Sequence, residues 1–147
     1  MLFNKPAPPA KNAWPLLFVC WLIAAVSTLG AIFLGEVMGL TPCVLCWYQR
    51  ICMFPLVFIL AAGLFPPDRR VVRYALPLAL TGLGFAVFHL LVAEGFVAEA
   101  LTPCSPGVPC SQQLIVWFGF LTIPMLSVAA FSLVNALLVA IYLKAPQ

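Results

Sequence analysis

The sequence predicts an all-α integral membrane protein, a bundle of four transmembrane helices with two outward-facing cysteine loops, formed by a single domain of 147 residues. Composition is the first reason: 65% of the residues are hydrophobic and only 7% are charged. Soluble domains are about 45–50% apolar and about 25% charged. The composition therefore disfavours a soluble enzyme, a disordered protein and a nucleic-acid-binding protein, and a net charge of +3 is too small for a phosphate-binding surface.

Four apolar stretches are each long enough to cross a bilayer, which takes roughly 20 residues. They cover about residues 14–34, 44–64, 71–93 and 114–143. Pro55, Pro77 and Pro124 fall inside these spans, where neighbouring helices can satisfy the carbonyls that proline leaves free. The first stretch exceeds the apolar core of a signal peptide, about 7–15 residues, and lacks a clear cleavage site, so we expect a retained span.

The basic residues predict the orientation. If the four spans alternate, the two loops 35–43 and 94–113 lie on one side and contain no Lys or Arg. The opposite side carries six basic residues: Lys5, Lys11, Arg69, Arg70, Arg73 and Lys144. The positive-inside rule then places both termini in the cytoplasm and both cysteine loops outside. We expect a monomer.

The motif Cys43-Val44-Leu45-Cys46 opens the second span on its outer side, directly after Pro42. A helix that begins here places both thiols on one face, with Cβ atoms about 5–6 Å apart, so a small adjustment closes or opens a disulfide. The helix N-terminus also favours a thiolate, which is the nucleophilic form. We interpret the pair as redox-active. A static disulfide and half of a metal site are the alternatives, and we expect no bound metal.

A second pair, Cys104 and Cys110, lies in the outer loop 94–113, on the side of the membrane where disulfides persist. Two prolines and a glycine between them predict an irregular loop. A disulfide here should be exposed, mobile and open to another protein's thiolate, although it could also be a structural staple. Cys20 and Cys52 fall within spans, and we expect them to be small buried apolar side chains.

Two polar residues in the spans are candidates for the same chemistry. Arg50 lies one helical turn below Cys46, and an arginine in a span costs about 2.5–3.5 kcal/mol on insertion. It could stabilise the Cys46 thiolate and donate to a carbonyl oxygen, or simply snorkel to the headgroups. His89 could donate a hydrogen bond or carry a proton, or pack between helices. We expect Gln49 to face away from Cys46. Two aromatic residues are expected in the interfacial belt: Trp47 and Tyr48.

Two dithiols on the outer face predict an electron relay. Thiols of a soluble partner would reduce the loop pair, and the loop pair would reduce Cys43 and Cys46. Two electrons must then leave, yet the sequence has no haem-attachment motif, iron–sulfur spacing or nucleotide-binding fingerprint. A lipid-soluble two-electron acceptor, a quinone, fits these requirements.

The run Cys43-Val-Leu-Cys46-Trp-Tyr-Gln-Arg50, followed by Pro55, resembles the signature of the disulfide-bond formation protein B (DsbB) family. The run Cys104-Ser-Pro-Gly-Val-Pro-Cys110-Ser resembles the second cysteine pair of its short, BdbC-like branch. The resemblance covers all four spans and both cysteine loops. It implies a thiol oxidase of the bacterial inner membrane that uses ubiquinone or menaquinone and reoxidises an extracytoplasmic, DsbA-like thioredoxin-fold oxidase.

The resemblance also implies a role for each site residue. Cys104 receives the partner's attacking thiolate, and Cys110 resolves towards Cys43. The residues on the quinone side are Cys46, Arg50 and His89. Two other classes of protein remain alternatives. One is a quinone-coupled thiol oxidoreductase of the vitamin K epoxide reductase type, whose C-x-x-C usually lies late in the chain. The other is a non-enzymatic four-span protein with structural disulfides.

Overall fold

The computed structural model describes residues 13–102, 107–111 and 116–144, which form four long helices. The helices are α1 (Ala13–Ile32), α2 (Val44–Leu64), α3 (Val72–Ala93) and α4 (Ile123–Leu143). A π-helical turn, Phe33–Val37, extends α1, and a 3-10 turn, Arg69–Val71, leads into α3. With these turns, all four helices are long and apolar enough to cross a membrane. The predicted all-α, four-span architecture is confirmed.

The helices pack as a ring in which α1 and α3 each lie between α2 and α4. Their directions alternate: Gln49 near the start of α2 contacts His89 near the end of α3 and Ser127 near the start of α4. The apolar core runs along the centre of this ring and includes Leu56 and Leu60 of α2. Large apolar side chains on the outside, such as Phe58, are exposed in the isolated chain, as expected of a surface that faces lipid.

Small residues let α3 approach α4 closely. Four of them are buried along one face of α3: Ala75, Ala79, Gly82 and Ala86. A Cβ atom on Gly82 would lie only 2.1 Å from the Phe131 ring of α4, so the ring occupies the space that glycine leaves. Asn135, one turn further along α4, donates to the Ala79 carbonyl at 3.0 Å and ties the two helices together. Close backbone approach with an interhelical hydrogen bond is typical of membrane helix pairs.

The fourth span begins at Ile123, so the predicted start near residue 114 is wrong. Pro124 explains the difference, because it lies in the first turn of α4, where a missing N–H is tolerated, rather than interrupting the helix as predicted. Residues just before α4 form a short antiparallel hairpin, β1 (Val116–Trp117) with β2 (Leu121–Thr122). The hairpin turn contains Phe118 and Gly119 with φ of 56° and 82°, which a helix cannot accommodate.

Candidate functional site

The cysteine motif opens α2 as predicted, but Cys43 is the residue that caps the helix and is not part of it. Its backbone is extended (φ −70°, ψ 170°), and its carbonyl accepts the first helical hydrogen bond, from the Trp47 N–H at 3.1 Å. The Sγ atoms of Cys43 and Cys46 lie 3.3 Å apart. A disulfide needs about 2.05 Å, so the pair is a dithiol here, close enough to be bridged by a small movement.

His89 brings α3 to this dithiol. Its Nε2 lies 3.6 Å from Cys43 Sγ, and the side chain is buried. A buried imidazole in a membrane protein needs partners for both ring nitrogens. The second partner is Gln49 of α2, whose Nε2 lies 3.0 Å from His89 Nδ1.

A hydrogen-bond chain across three helices fixes the roles of these groups. The Ser127 hydroxyl of α4 donates to Gln49 Oε1, so the Gln49 amide presents its N–H to His89. His89 Nδ1 is therefore the acceptor, and in the neutral ring the proton sits on Nε2. This tautomer directs an N–H donor at Cys43 Sγ.

The surroundings of Cys43 stabilise its thiolate. The pKa of the Cys43 thiol lies well below its ordinary value, chiefly because the Cys46 thiol hydrogen-bonds to its sulfur and also because His89 does; burial opposes the shift. A thiolate is the form that attacks disulfides and transfers electrons. Of the sulfurs in the motif, that of Cys43 is therefore the one whose surroundings favour nucleophilic attack.

The loop that follows α3 brings Cys110 to the same place. Cys110 is disulfide-bonded and only 2% exposed. It packs in one buried cluster with Cys43, Leu45 and Val92, called here the outer cluster. The expectation of an exposed cysteine is therefore wrong for Cys110, because the loop folds down onto the ends of α2 and α3. Cys104 lies outside the described residues.

Arg50 points towards α1. Its Nη2 donates to the Ala31 carbonyl at 2.7 Å, and its guanidinium lies 5.3 Å from the centre of the Trp47 ring. Gly35 leaves room for it, since a Cβ there would lie 3.1 Å from Arg50 Nη2. The cation is therefore held at the boundary between α1 and α2.

The other cysteines are buried and free, as expected: Cys20 is 0% and Cys52 is 4% exposed, both within the apolar core. Trp47 is half-exposed, and Tyr48 stacks on Phe85 of α3 at 5.2 Å between ring centres. Both aromatic residues therefore lie near the start of α2, where a belt residue is expected.

Comparison with known proteins identifies the family of this chain. The profile of a family described as "Disulfide bond formation protein DsbB" matches residues 12–141. The chain belongs to the DsbB family. It is 44% identical to disulfide bond formation protein C of Bacillus subtilis, over 84% of this chain and 90% of that protein. It is also 44% identical to a probable disulfide formation protein of Metapseudomonas resinovorans, over 90% of this chain and 93% of that protein. No solved structure matches the chain significantly.

Membership of the DsbB family makes this chain a multi-pass membrane oxidoreductase of disulfide-bond formation. Two polar residues at its site were missed from the sequence. The prediction that Gln49 faces away from Cys46 is wrong, because Gln49 is buried and contacts His89. Two features of the sequence indicate the inward orientation: Gln49 lies three residues after Cys46, on the same helix face, and an unpaired amide in a span is costly. Ser127 could not be identified from the sequence, because its only distinguishing feature is a polar side chain within an apolar stretch.

Proposed function

We propose that this protein is a quinone-dependent thiol oxidase that reoxidises an extracytoplasmic, DsbA-like thioredoxin-fold oxidase. The observation that carries the proposal is the outer cluster. It packs the loop residue Cys110 with Cys43, whose sulfur already lies beside Cys46 and His89. Cysteines from two separate chain segments therefore converge on one end of the bundle, as an electron relay requires.

The relay proceeds by four thiol–disulfide displacements. The partner's thiolate attacks Cys104 in a Cys104–Cys110 disulfide, and its second thiol then releases the oxidised partner, leaving both loop cysteines reduced. The Cys110 thiolate next attacks Cys43 in a Cys43–Cys46 disulfide, and Cys104 attacks Cys110 to restore the loop disulfide. Two electrons now reside on Cys43 and Cys46. Burial of Cys110 supports this order, because it leaves Cys104 as the entry point for a protein-sized partner.

A quinone would supply the final acceptor of two electrons and two protons. The residues at the start of α2 suit it. Arg50 makes one hydrogen bond within the described part of the chain, to Ala31, and a guanidinium has five N–H donors. Further donors therefore remain to hold a carbonyl oxygen. The neighbouring Trp47 and Ile51 are 52% and 61% exposed and present an apolar surface towards lipid.

The distribution of charge supports the orientation proposed from the sequence. The described basic side chains at the end of the bundle opposite the site are Arg69, Arg70, Arg73 and Lys144. The outer cluster lies at the other end, where the described ends of α2, α3 and α4 carry no Lys or Arg apart from Arg50. The site then faces the extracytoplasmic side and both termini face the cytoplasm.

Turnover with a reduced thioredoxin-fold partner tests the proposal. Purified protein in detergent is mixed with the partner dithiol and a soluble quinone, while partner thiols and quinone absorbance are followed together. We expect one partner disulfide for each quinone reduced. Two variants carry the same substitution in the same helix, Cys46→Ser and Cys52→Ser. We expect Cys46→Ser to lose oxidase activity and Cys52→Ser to keep it. Oxidation that proceeds without quinone, or equally in Cys46→Ser, contradicts the proposal.

A trapping experiment tests the entry point. Cys110→Ser keeps the Cys104 thiol but removes the cysteine that resolves an adduct with the oxidised partner. A mixed disulfide should then accumulate on a non-reducing gel and disappear with reductant or with Cys104→Ser. An adduct that forms through Cys43 or Cys46 when Cys104 is absent would assign entry to the α2 pair instead.

A further inference from the structure

The reduced site presents three ligand atoms for a soft metal ion. The Sγ atoms of Cys43 and Cys46 and a ring nitrogen of His89 all lie within 4.8 Å of one another. Thiolate and imidazole are the donors that zinc prefers. We propose that the reduced Cys43–Cys46 pair binds Zn²⁺ together with His89, and that the ion holds the enzyme in its reduced form. The inhibitory part rests on the proposed function, whereas the binding part does not.

The distances suit a tetrahedral ion. With Zn–S of about 2.3 Å and Zn–N of about 2.0–2.1 Å, two sulfurs lie about 3.8 Å apart and a sulfur and a nitrogen about 3.6 Å apart. The observed separations are 3.3 Å between the sulfurs and 3.6 Å between Cys43 Sγ and His89 Nε2. A shift of a few tenths of an ångström at Cys43 and a rotation of Cys46 would complete the three-ligand face. The fourth position would take water, as in open zinc sites.

Charge favours the complex as well. Two thiolates neutralise one divalent cation, so the bound site carries no net charge beside an apolar bundle, where an uncompensated charge is costly. Cys46 is only partly buried, which leaves a path for the ion to enter. The bound ion would occupy both sulfurs and so prevent the disulfide from forming.

Gln49 can support either state of His89. With the proton on Nε2, the ring accepts from the Gln49 amide, as the structure has it. When Nε2 binds an ion, the proton moves to Nδ1, and a rotation of the Gln49 amide presents its oxygen as acceptor while Ser127 accepts from its N–H. A histidine that binds zinc is usually held in this way through its second nitrogen.

Titration with Cd²⁺ alone tests the site, read by thiolate-to-metal charge-transfer absorption with Zn²⁺ as competitor. The full chain is used fully reduced, with Cys104→Ser and Cys110→Ser so that loop thiols cannot compete. We expect one ion per chain, retained in Cys52→Ser and lost in Cys46→Ser. His89→Gln should weaken binding by at least about tenfold, since losing even an outer hydrogen-bond partner of a ligand costs about 10- to 100-fold.

Gln49→Leu keeps all three ligands and provides a second variant in case His89→Gln fails to fold; it too should weaken binding. The proposal is overturned if no saturable absorption appears, or if both variants bind as tightly as the parent. The titration involves neither a thiol partner nor a quinone. A negative titration therefore refutes the metal site alone, while absence of oxidase turnover refutes only the proposed function.

Discussion

The imidazole of His89 has one partner on each ring nitrogen, and this pairing determines what the ring can do. Gln49 donates to Nδ1, so a neutral ring carries its proton towards Cys43. A neutral donor stabilises the thiolate without the desolvation cost of a buried imidazolium. The His89 tautomer thus depends on the amide of Gln49 and, through it, on Ser127.

Replacing Gln49 by leucine should make Cys43 less acidic. The donor to His89 Nδ1 is lost, the ring no longer keeps Nε2–H aimed at the sulfur, and the lowered pKa of Cys43 moves up towards its ordinary value. At mildly acidic pH less thiolate is then present, so the midpoint of the alkylation rate against pH should rise, as measured by mass spectrometry of the reduced protein. Asn135→Leu, which also removes a buried amide, should leave the midpoint in place. An unshifted midpoint in Gln49→Leu would show that Gln49 only fills space.

Arg50→Met should impair the use of quinone while leaving thiol exchange with the partner intact. A hydrogen bond to a charged group contributes about 1.5–3 kcal/mol, so we expect the KM for quinone to rise about tenfold or more. Steady-state kinetics at varied quinone concentration measure it, with a thermal scan to detect loss of the bond to Ala31. Unchanged quinone kinetics would mean that Arg50 only links α1 to α2 through its hydrogen bond to Ala31.

At the scale of the helices, α3 and α4 show how an almost uniformly apolar sequence still specifies one packing. The small residues of α3 form a groove, and the Phe131 ring of α4 fills the space above Gly82. Lipid is as apolar as these side chains, so close fit and the Asn135 hydrogen bond, rather than hydrophobicity, select the partner face.

Two glycines in α3 offer a matched test of this packing. A Cβ on Gly82 would meet Phe131 ring atoms at 2.1 Å, whereas a Cβ on Gly84 would meet nothing within 4 Å. Gly82→Ala should therefore destabilise the protein by about 1–3 kcal/mol, the usual cost of overpacking. Gly84→Ala should be neutral or slightly stabilising, because alanine favours the helix. Thermal unfolding in detergent at one scan rate compares them, and equal midpoints would refute the assigned α3–α4 contact.

Over the whole molecule, the cysteines divide into two groups by position. Cys20 and Cys52 lie in the apolar core of the bundle, while Cys43, Cys46 and Cys110 gather at one end in and around the outer cluster. Only the second group brings together cysteines from two separate segments of the chain, the start of α2 and the loop that follows α3. The bundle therefore serves as a rigid support that brings two chain segments together at a membrane surface.

The double variant Cys20→Ala/Cys52→Ala should keep most of the oxidase activity. Each change removes one buried heavy atom, for which we expect a loss of roughly 0.5–1.5 kcal/mol of stability and no change in redox chemistry. Turnover per folded molecule is the measurement, with protein abundance determined in parallel. Loss of activity at normal abundance would mean that a core thiol takes part in the relay.

Much of the candidate site could be predicted because its signals are local. The relevant residues are adjacent in sequence: the C-x-x-C motif, the proline before it and Arg50 one turn after it. Their spacing along a single helix is enough to predict their chemistry. His89 could be named as a candidate but not joined to Cys43. The sequence predicts neither the inward orientation of Gln49 nor the burial of Cys110, because each depends on contacts between distant segments of the chain.

The sequence by itself determined the number of spans, their limits to within a few residues except at the start of α4, and the position of the C-x-x-C motif at the start of α2. Hydropathy and length suffice for these, since a bilayer imposes the same requirement on every span. Only the tertiary structure decided which helix faces meet, and hence the chain from Ser127 through Gln49 and His89 to Cys43. The reason is physical: side chains that face lipid are as apolar as those in the core, so helical periodicity cannot reveal the inward face.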